Sequence, residues 1–132
     1  MATLDHAEYD GDLVGAVRRE LAEALNHAVR SGIAPEAIAL DPGFGFAKTA
    51  EHNLLLADRL ADLVALGRPV LVGPSRKRFL GSVTGREVAE RDVATAAACV
   101  MAYERGARLF RVHNVAVSRD ALAVAHAVRG GR

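Results

Sequence analysis

Three short segments concentrate the residue types that could carry chemistry. The first is Asp41-Pro42-Gly43-Phe44-Gly45-Phe46. A carboxylate at the tip of a strand can accept two N–H hydrogen bonds from a planar heterocycle, and Asp41 is such a group. Gly43 and Gly45 permit backbone turns with positive φ, and Phe44 and Phe46 offer aromatic faces. The same residues read equally as a capping aspartate before a Pro-Gly turn. A phosphate-cradling P-loop is a poor fit. Gly43, Lys48 and Thr49 echo it, but Ala47 stands where the glycine before the lysine belongs, and the spacing from Gly43 is one residue short.

The second segment is Ser75-Arg76-Lys77-Arg78. Three consecutive cations attract a phosphate or another anion; a solvated basic turn is the plainer alternative. Alternation along the chain sets Arg76 and Arg78 in a different direction from Lys77. The third segment holds Arg111 and His113, two positions apart and so on one face at a strand's end. An arginine in a buried strand is costly unless it binds something. Its fork suits phosphate oxygens, and a histidine adds a hydrogen bond. A satisfied core pair or a surface edge remains the other reading.

These segments need elements to position them. Asp12 caps a helix whose apolar stripe is Leu13, Val17, Leu21 and Leu25, and Gly32 ends it. Residues 37–40 form a short apolar run stopped by Asp41-Pro42-Gly43, which predicts a strand buried on both faces. Thr49 caps a second helix with Leu55, Ala57, Leu60, Leu63 and Val64 on its apolar side, closed by Gly67. Residues 69–73 predict a second buried strand, followed by the basic loop 74–78. A third helix is expected from about Glu87 to Glu104, a third strand over 108–112, and a last helix from about Ser118 to Val128. Strands alternating with helices at this spacing predict one α/β unit with a parallel sheet and right-handed crossovers. All three chemical segments then fall at the carboxyl ends of strands, where sites in such folds lie. Three strands are too few for a doubly wound sheet or a closed barrel, so the chain reads as a small open unit or as part of something larger.

Composition narrows the class. With 132 residues, 51% hydrophobic and 25% charged, the chain suits one globular domain. A balance of 17 basic against 16 acidic residues makes no electrostatic case for nucleic acid or an anionic membrane. The single cysteine, Cys99, cannot form an internal disulfide, so a reducing compartment is expected, with Cys99 as a small core residue. No apolar run is long enough to span a membrane, and the N-terminus does not read as a secretory signal. His6, His27, His52 and His126 are scattered without metal-ligand spacing. No nucleophile elbow or Ser–His–Asp arrangement is visible.

Taken together, LDPGFGFAKT, PVLVGPSRKRFLG and FRVHNV resemble, in order and spacing, the last three strand-end motifs of the dihydropteroate synthases. The resemblance runs from about Ala7 to the C-terminus. It implies a TIM (β/α)8 barrel, of which residues 1–132 would be a single unit: the C-terminal (βα)3 portion, strands six to eight, preceded by one helix, with the N-terminal half absent. It also implies a cytoplasmic, usually dimeric transferase of folate biosynthesis and a sulfonamide target. That enzyme condenses 6-hydroxymethyl-7,8-dihydropterin diphosphate with p-aminobenzoate and releases pyrophosphate.

Carried over by position, the resemblance places Asp41 on the pterin ring and Phe46 at the aminobenzoate side, with Gly45 among the substrate-binding residues. Lys77 would contact the pterin near the aminobenzoate, and Arg78 stands where many members have a serine beside the aminobenzoate carboxylate. Arg111 and His113 would hold the diphosphate, so Lys77, Arg111 and His113 form the expected catalytic set. Magnesium is the implied cofactor, with its protein ligand in the absent half and no metal ligand here. Asn114 stands where aspartate is usual, a difference that bears on the orientation of His113. Two other readings stay open: a non-catalytic pterin- or anion-binding paralogue, and a pterin-dependent methyltransferase domain, against which the Ser-Arg-Lys-Arg and Arg-Val-His motifs argue.

Overall fold

The computed structural model describes residues 11–131. His6 therefore lies outside the described residues. Helix α1 (Leu13–Arg30) begins where Asp12 accepts the Gly15 N–H at 2.9 Å. Leu13, Val14 and Val17 are buried, the start of the expected stripe. Gly32, at φ 98°, turns the chain out of the helix in the left-handed region that a side chain disfavours.

The first expected strand shrinks to one residue. Pro35–Ala37 form a 3-10 turn, and only Leu40 pairs, in a parallel bridge with Val70. Its N–H donates to the Pro69 carbonyl and its own carbonyl accepts from Leu71, both at 2.8 Å. The ladder stops there because Pro69 has no N–H to give to the Ile38 carbonyl. The Arg68 guanidinium bonds that oxygen instead, at 3.4 Å.

Two strands follow, β1 (Leu71–Val72) and β2 (Leu109–Phe110), parallel with Leu71 opposite Leu109 and Val72 opposite Phe110. Both are shorter than expected. The order across the layer is Leu40, β1, β2. Val70 and Val72 are fully buried, whereas Leu109 on the outer strand is 42% exposed. The parallel alternation is therefore present, but β2 is not covered on both faces.

The second expected helix is two: α2 (Ala50–Asp58) and α3 (Leu60–Val64), separated at Arg59. Thr49 caps α2 in a reciprocal box with His52. Leu56, Leu60 and Leu63 are fully buried, and Leu55, expected in the core, is 45% exposed. The buried set Asn53, Leu56, Leu60 and Leu63 keeps a three-and-four spacing, which puts Leu55 on the other side.

Helix α4 (Arg78–Thr84) was not expected. Gly81, Val83 and Thr84 are weak helix formers, and tertiary contact supplies what propensity lacks. Phe79 and Leu80 bury themselves in the core, and the Phe79 ring stacks on Phe44 at 6.0 Å between centroids. Helix α5 (Asp92–Glu104) starts later than Glu87, after a 3-10 turn at Val88–Glu90. Its small residues Ala96, Cys99 and Ala102 are buried. Helix α6 (Val115–Val128) starts earlier than Ser118 because Asn114 caps it, accepting from the Val117 N–H at 3.2 Å. Helix α6 packs mainly against α5. Among the described residues no helix is long and apolar enough to cross a membrane.

Candidate functional site

Phe46, Lys77, Arg111 and His113 line one hollow of about 350 Å³, with Gly73, Ser75 and Val112 as its floor. The hollow sits just past the carboxyl ends of β1 and β2. The parallel pairing brings this about: the Arg111 N–H still bonds the Val72 carbonyl at 3.0 Å, which puts the residues after both strands side by side.

Lys77 crosses the hollow. Its ammonium donates to the Phe44 carbonyl and lies 4.6 Å from the centroid of the Phe46 ring. Gly45 has no room for a side chain here, since a Cβ would stand 2.7 Å from Lys77 Cδ. Burial pushes the Lys77 ammonium below the ordinary lysine value; Asp41 opposes this, while Arg111 and Lys48 add to it. Burial likewise lowers Lys48, which donates to the carbonyls of Gly43 and Phe46 at 3.1 Å each. The two aromatic residues divide their work: Phe44 is core, 3% exposed, and Phe46 is the free face, 51% exposed.

Arg111 packs over Gly73, where a Cβ would meet its Nη2 at 3.2 Å. Nη2 is 3.9 Å from the Asp41 carboxylate. Asp41 itself turns its other oxygen back to the Gly43 N–H at 2.9 Å, the local turn that the motif also allowed. Asp41 is thus at the rim and reaches the hollow through Arg111. Arg78 is exposed at the first position of α4 and is not part of the lining.

Arg76 turns away, as alternation implied. It is held in a left-handed conformation, φ 57°. Its N–H bonds Thr95 Oγ1 at 3.0 Å, its carbonyl accepts from Arg91 at 3.0 Å, and its guanidinium grips Asp92 at 2.8 and 3.2 Å. Asn114 also donates to Asp92, at 3.1 Å. Hydrogen bonds from Arg76 and Asn114 hold the Asp92 carboxyl below its usual range. One carboxylate at the start of α5 therefore ties the Lys77 loop to the residue after His113. Ser75 bonds His113 directly, with Oγ 2.6 Å from Nδ1 and accepting the His113 N–H at 3.0 Å. Sequence reasoning named Ser75 only as part of a basic loop and missed Asp92 and Thr95. Ser75, directly before the cations, carried a local signal; Asp92 and Thr95 carried none, being positioned by α5.

Among the described residues no group of three His, Cys, Asp or Glu side chains gathers as a metal would require. The side chains lining the hollow are two cations, a histidine, a hydroxyl and apolar groups, with no carboxylate among them, a donor set that does not fit a magnesium ion. Cys99 is buried, and burial pushes its thiol up to about 11. His52 and His126 have structural roles, the latter with Nδ1 2.8 Å from the Tyr103 hydroxyl.

A short parallel α/β layer with cations collected beyond its strand ends has the arrangement of a portion of a (β/α)8 barrel. The chain belongs to the pterin binding enzymes, matching that family over residues 1–113. It is 44% identical over 119 residues to a dihydropteroate synthase of Synechocystis, covering 89% of this chain and 41% of that protein. It is 40% identical over 120 residues to an inactive dihydropteroate synthase 2 of Mycobacterium tuberculosis, covering 91% of this chain and 38% of that one. Among solved structures, the Xanthomonas albilineans dihydropteroate synthase in complex with 7,8-dihydropteroate superposes with a TM-score of 0.91 at 44% identity, covering 96% of this chain and 48% of that chain. The chain thus spans about two fifths of the length of the curated relatives that it matches.

Proposed function

We propose that this chain supplies the leaving-group and aminobenzoate side of a dihydropteroate synthase site. The observation that carries this reading is the convergence of Lys77, Arg111, His113 and Phe46 on one hollow past parallel strand ends. In the reaction the C–O bond to the diphosphate breaks, pyrophosphate leaves with the electron pair, and the aromatic amine forms the C–N bond and loses a proton. Negative charge grows on the leaving group. Arg111 and His113 stand where they would stabilise it, while Asp41 at the rim would accept N–H bonds from the pterin. Lys77 would lie between the pterin and the aminobenzoate, with Phe46 against the latter ring. No activated nucleophile is needed, because the weakly nucleophilic amine requires mainly positioning. Arg78 would reach the aminobenzoate carboxylate only after a change of side-chain direction. Magnesium binding through residues outside this segment, a homodimer, a cytoplasmic location and sensitivity to sulfonamides complete the proposal. The relative solved with 7,8-dihydropteroate supports the substrate class.

A second reading is a non-catalytic pterin- or anion-binding protein, which the 40% identity to a relative named inactive favours. The test is a calorimetric titration of the 132-residue chain with the dihydropterin diphosphate, with native mass recorded on the same sample. Saturable binding followed by dihydropteroate formation supports the synthase; saturable binding without product supports the binding protein. A folded chain that does not bind counts against both for this segment alone.

A further inference from the structure

Among the described residues the Ser75 hydroxyl makes two hydrogen-bond contacts, both with His113. Oγ accepts the His113 backbone N–H at 3.0 Å and stands 2.6 Å from His113 Nδ1. Ser75 is buried, 8% exposed. A hydroxyl carries one proton and can accept at two positions. If Nδ1 carried the ring proton, Oγ would accept twice and its own proton would have no acceptor among the described residues, facing only the hollow that Ser75 helps to line. Among the described residues no other acceptor bonds Ser75 Oγ, and a buried hydroxyl left without an acceptor is costly. We propose that Ser75 is a positioning residue that donates to Nδ1 and so fixes neutral His113 with its proton on Nε2, presenting that N–H to an anionic oxygen in the hollow.

The surroundings support this role. Ser75 opens the turn that follows β1, directly before Arg76, whose left-handed backbone is clamped by Thr95, Asp92 and Arg91. The hydroxyl is therefore delivered by a braced loop, not by a mobile side chain. Nδ1 is occupied, and Nε2 makes no hydrogen bond among the described residues. His113 lines the same hollow as Arg111. The pair then divides the work: Arg111 brings charge, and His113 brings a directed N–H donor. The ring orientation rests on geometry alone; its use toward a diphosphate rests on the proposed function.

The experiment is nitrogen-15 NMR of the imidazoles in the full 132-residue chain at about pH 8, above the ordinary imidazole range. The expected His113 pattern is a protonated Nε2 and an unprotonated Nδ1. Ser75→Ala is expected to give an averaged, two-tautomer pattern, and Ser75→Thr, which keeps the hydroxyl, to restore the single one. A protonated Nδ1 in the unsubstituted chain, or an unchanged pattern in Ser75→Ala, overturns the proposal. If Ser75→Ala does not fold, the unsubstituted chain and Ser75→Thr still decide it. Titration with inorganic pyrophosphate gives the second readout, an affinity loss of about three- to tenfold in Ser75→Ala, the size of one net hydrogen bond. If the unsubstituted chain does not bind pyrophosphate but shows the Nε2 proton, the tautomer assignment stands and the functional reading fails.

Discussion

The Lys77 ammonium lies 4.6 Å from the centre of the Phe46 ring while it donates to the Phe44 carbonyl. One lysine after β1 thus organises the loop that follows Leu40. It bonds the backbone of one phenylalanine and sets its ammonium over one side of the other's ring, which stays half exposed. The contact joins two segments 33 positions apart in sequence, and it depends on Gly45 having no side chain.

Lys77→Ala or Arg111→Ala should cut dihydropteroate formation in the assembled enzyme by at least about tenfold, on the order of 1.4 kcal/mol in the barrier. Steady-state rates check this. Near-normal turnover of either variant would remove the roles proposed for these two cations.

Gly45→Ala should both strain the backbone, at φ 80°, and push Lys77 aside. A left-handed residue with a Cβ costs about 1–2 kcal/mol. Chemical denaturation should therefore show a lower midpoint. Substrate binding should weaken as well, which distinguishes Gly45 from a glycine needed for the turn alone.

Lys77 and Lys48 both have lowered pKa values, so the unfolded chain binds more protons than the native one below the ordinary lysine value of 10.5. Their contribution to stability therefore rises with pH on approaching 10.5 and is least favourable where both are charged. Lys77→Met should flatten part of this alkaline rise. Urea midpoints measured from about pH 8 to pH 10.5 on both chains read the difference. Parallel curves would show that Lys77 is not the desolvated group.

Asp92 gives a pH slope of the same sign in the acid range, but as a group whose charged form is stabilised by folding rather than penalised. Its folded pKa is depressed, so its stabilisation is present above the ordinary value of 3.8 and fades as pH falls through the lower folded value. Asp92→Asn should lower the melting temperature near neutral pH, and the gap between the two chains should close in strong acid. Thermal scans at both pH values test this. A gap independent of pH would mean that packing, rather than the bonds to Arg76 and Asn114, is what the substitution disturbs.

Cys99 should resist a thiol reagent in the native chain at about pH 8, since burial takes its thiol to about 11 and closes access. Reaction should begin only as denaturant unfolds the chain. Rapid native labelling would contradict the burial of α5 against α6.

Much of this was legible in the residues. Asp12, Thr49 and Gly32 act where they stand because capping and left-handed turns are local events, settled within four residues. The alternation of strands and helices, and the gathering of Lys77, Arg111 and His113, follow from apolar runs ending at breakers. The failures are equally specific. The first strand shrank to Leu40 because Pro69, across from it, has no N–H to give to the Ile38 carbonyl. The helix α4 exists because Phe79 meets Phe44. Leu56 took the buried place expected of Leu55 because Asn53, Leu56, Leu60 and Leu63 share one buried face.

The sequence by itself therefore determined the class of fold and the three segments that bear chemistry, because hydrophobic period and turn residues act at short range, and the family followed from the resemblance that those segments carry. Only the tertiary structure decided which members of those segments meet. Phe44 became core and Phe46 a free face, Arg76 became a brace and Lys77 a site residue, and Ser75 came to rest on His113. Adjacent residues of one motif were sent to opposite roles by what lay across from them. Those partners, Asp92, Thr95 and Phe79, are brought near by helix packing, whose geometry no window of neighbouring residues contains.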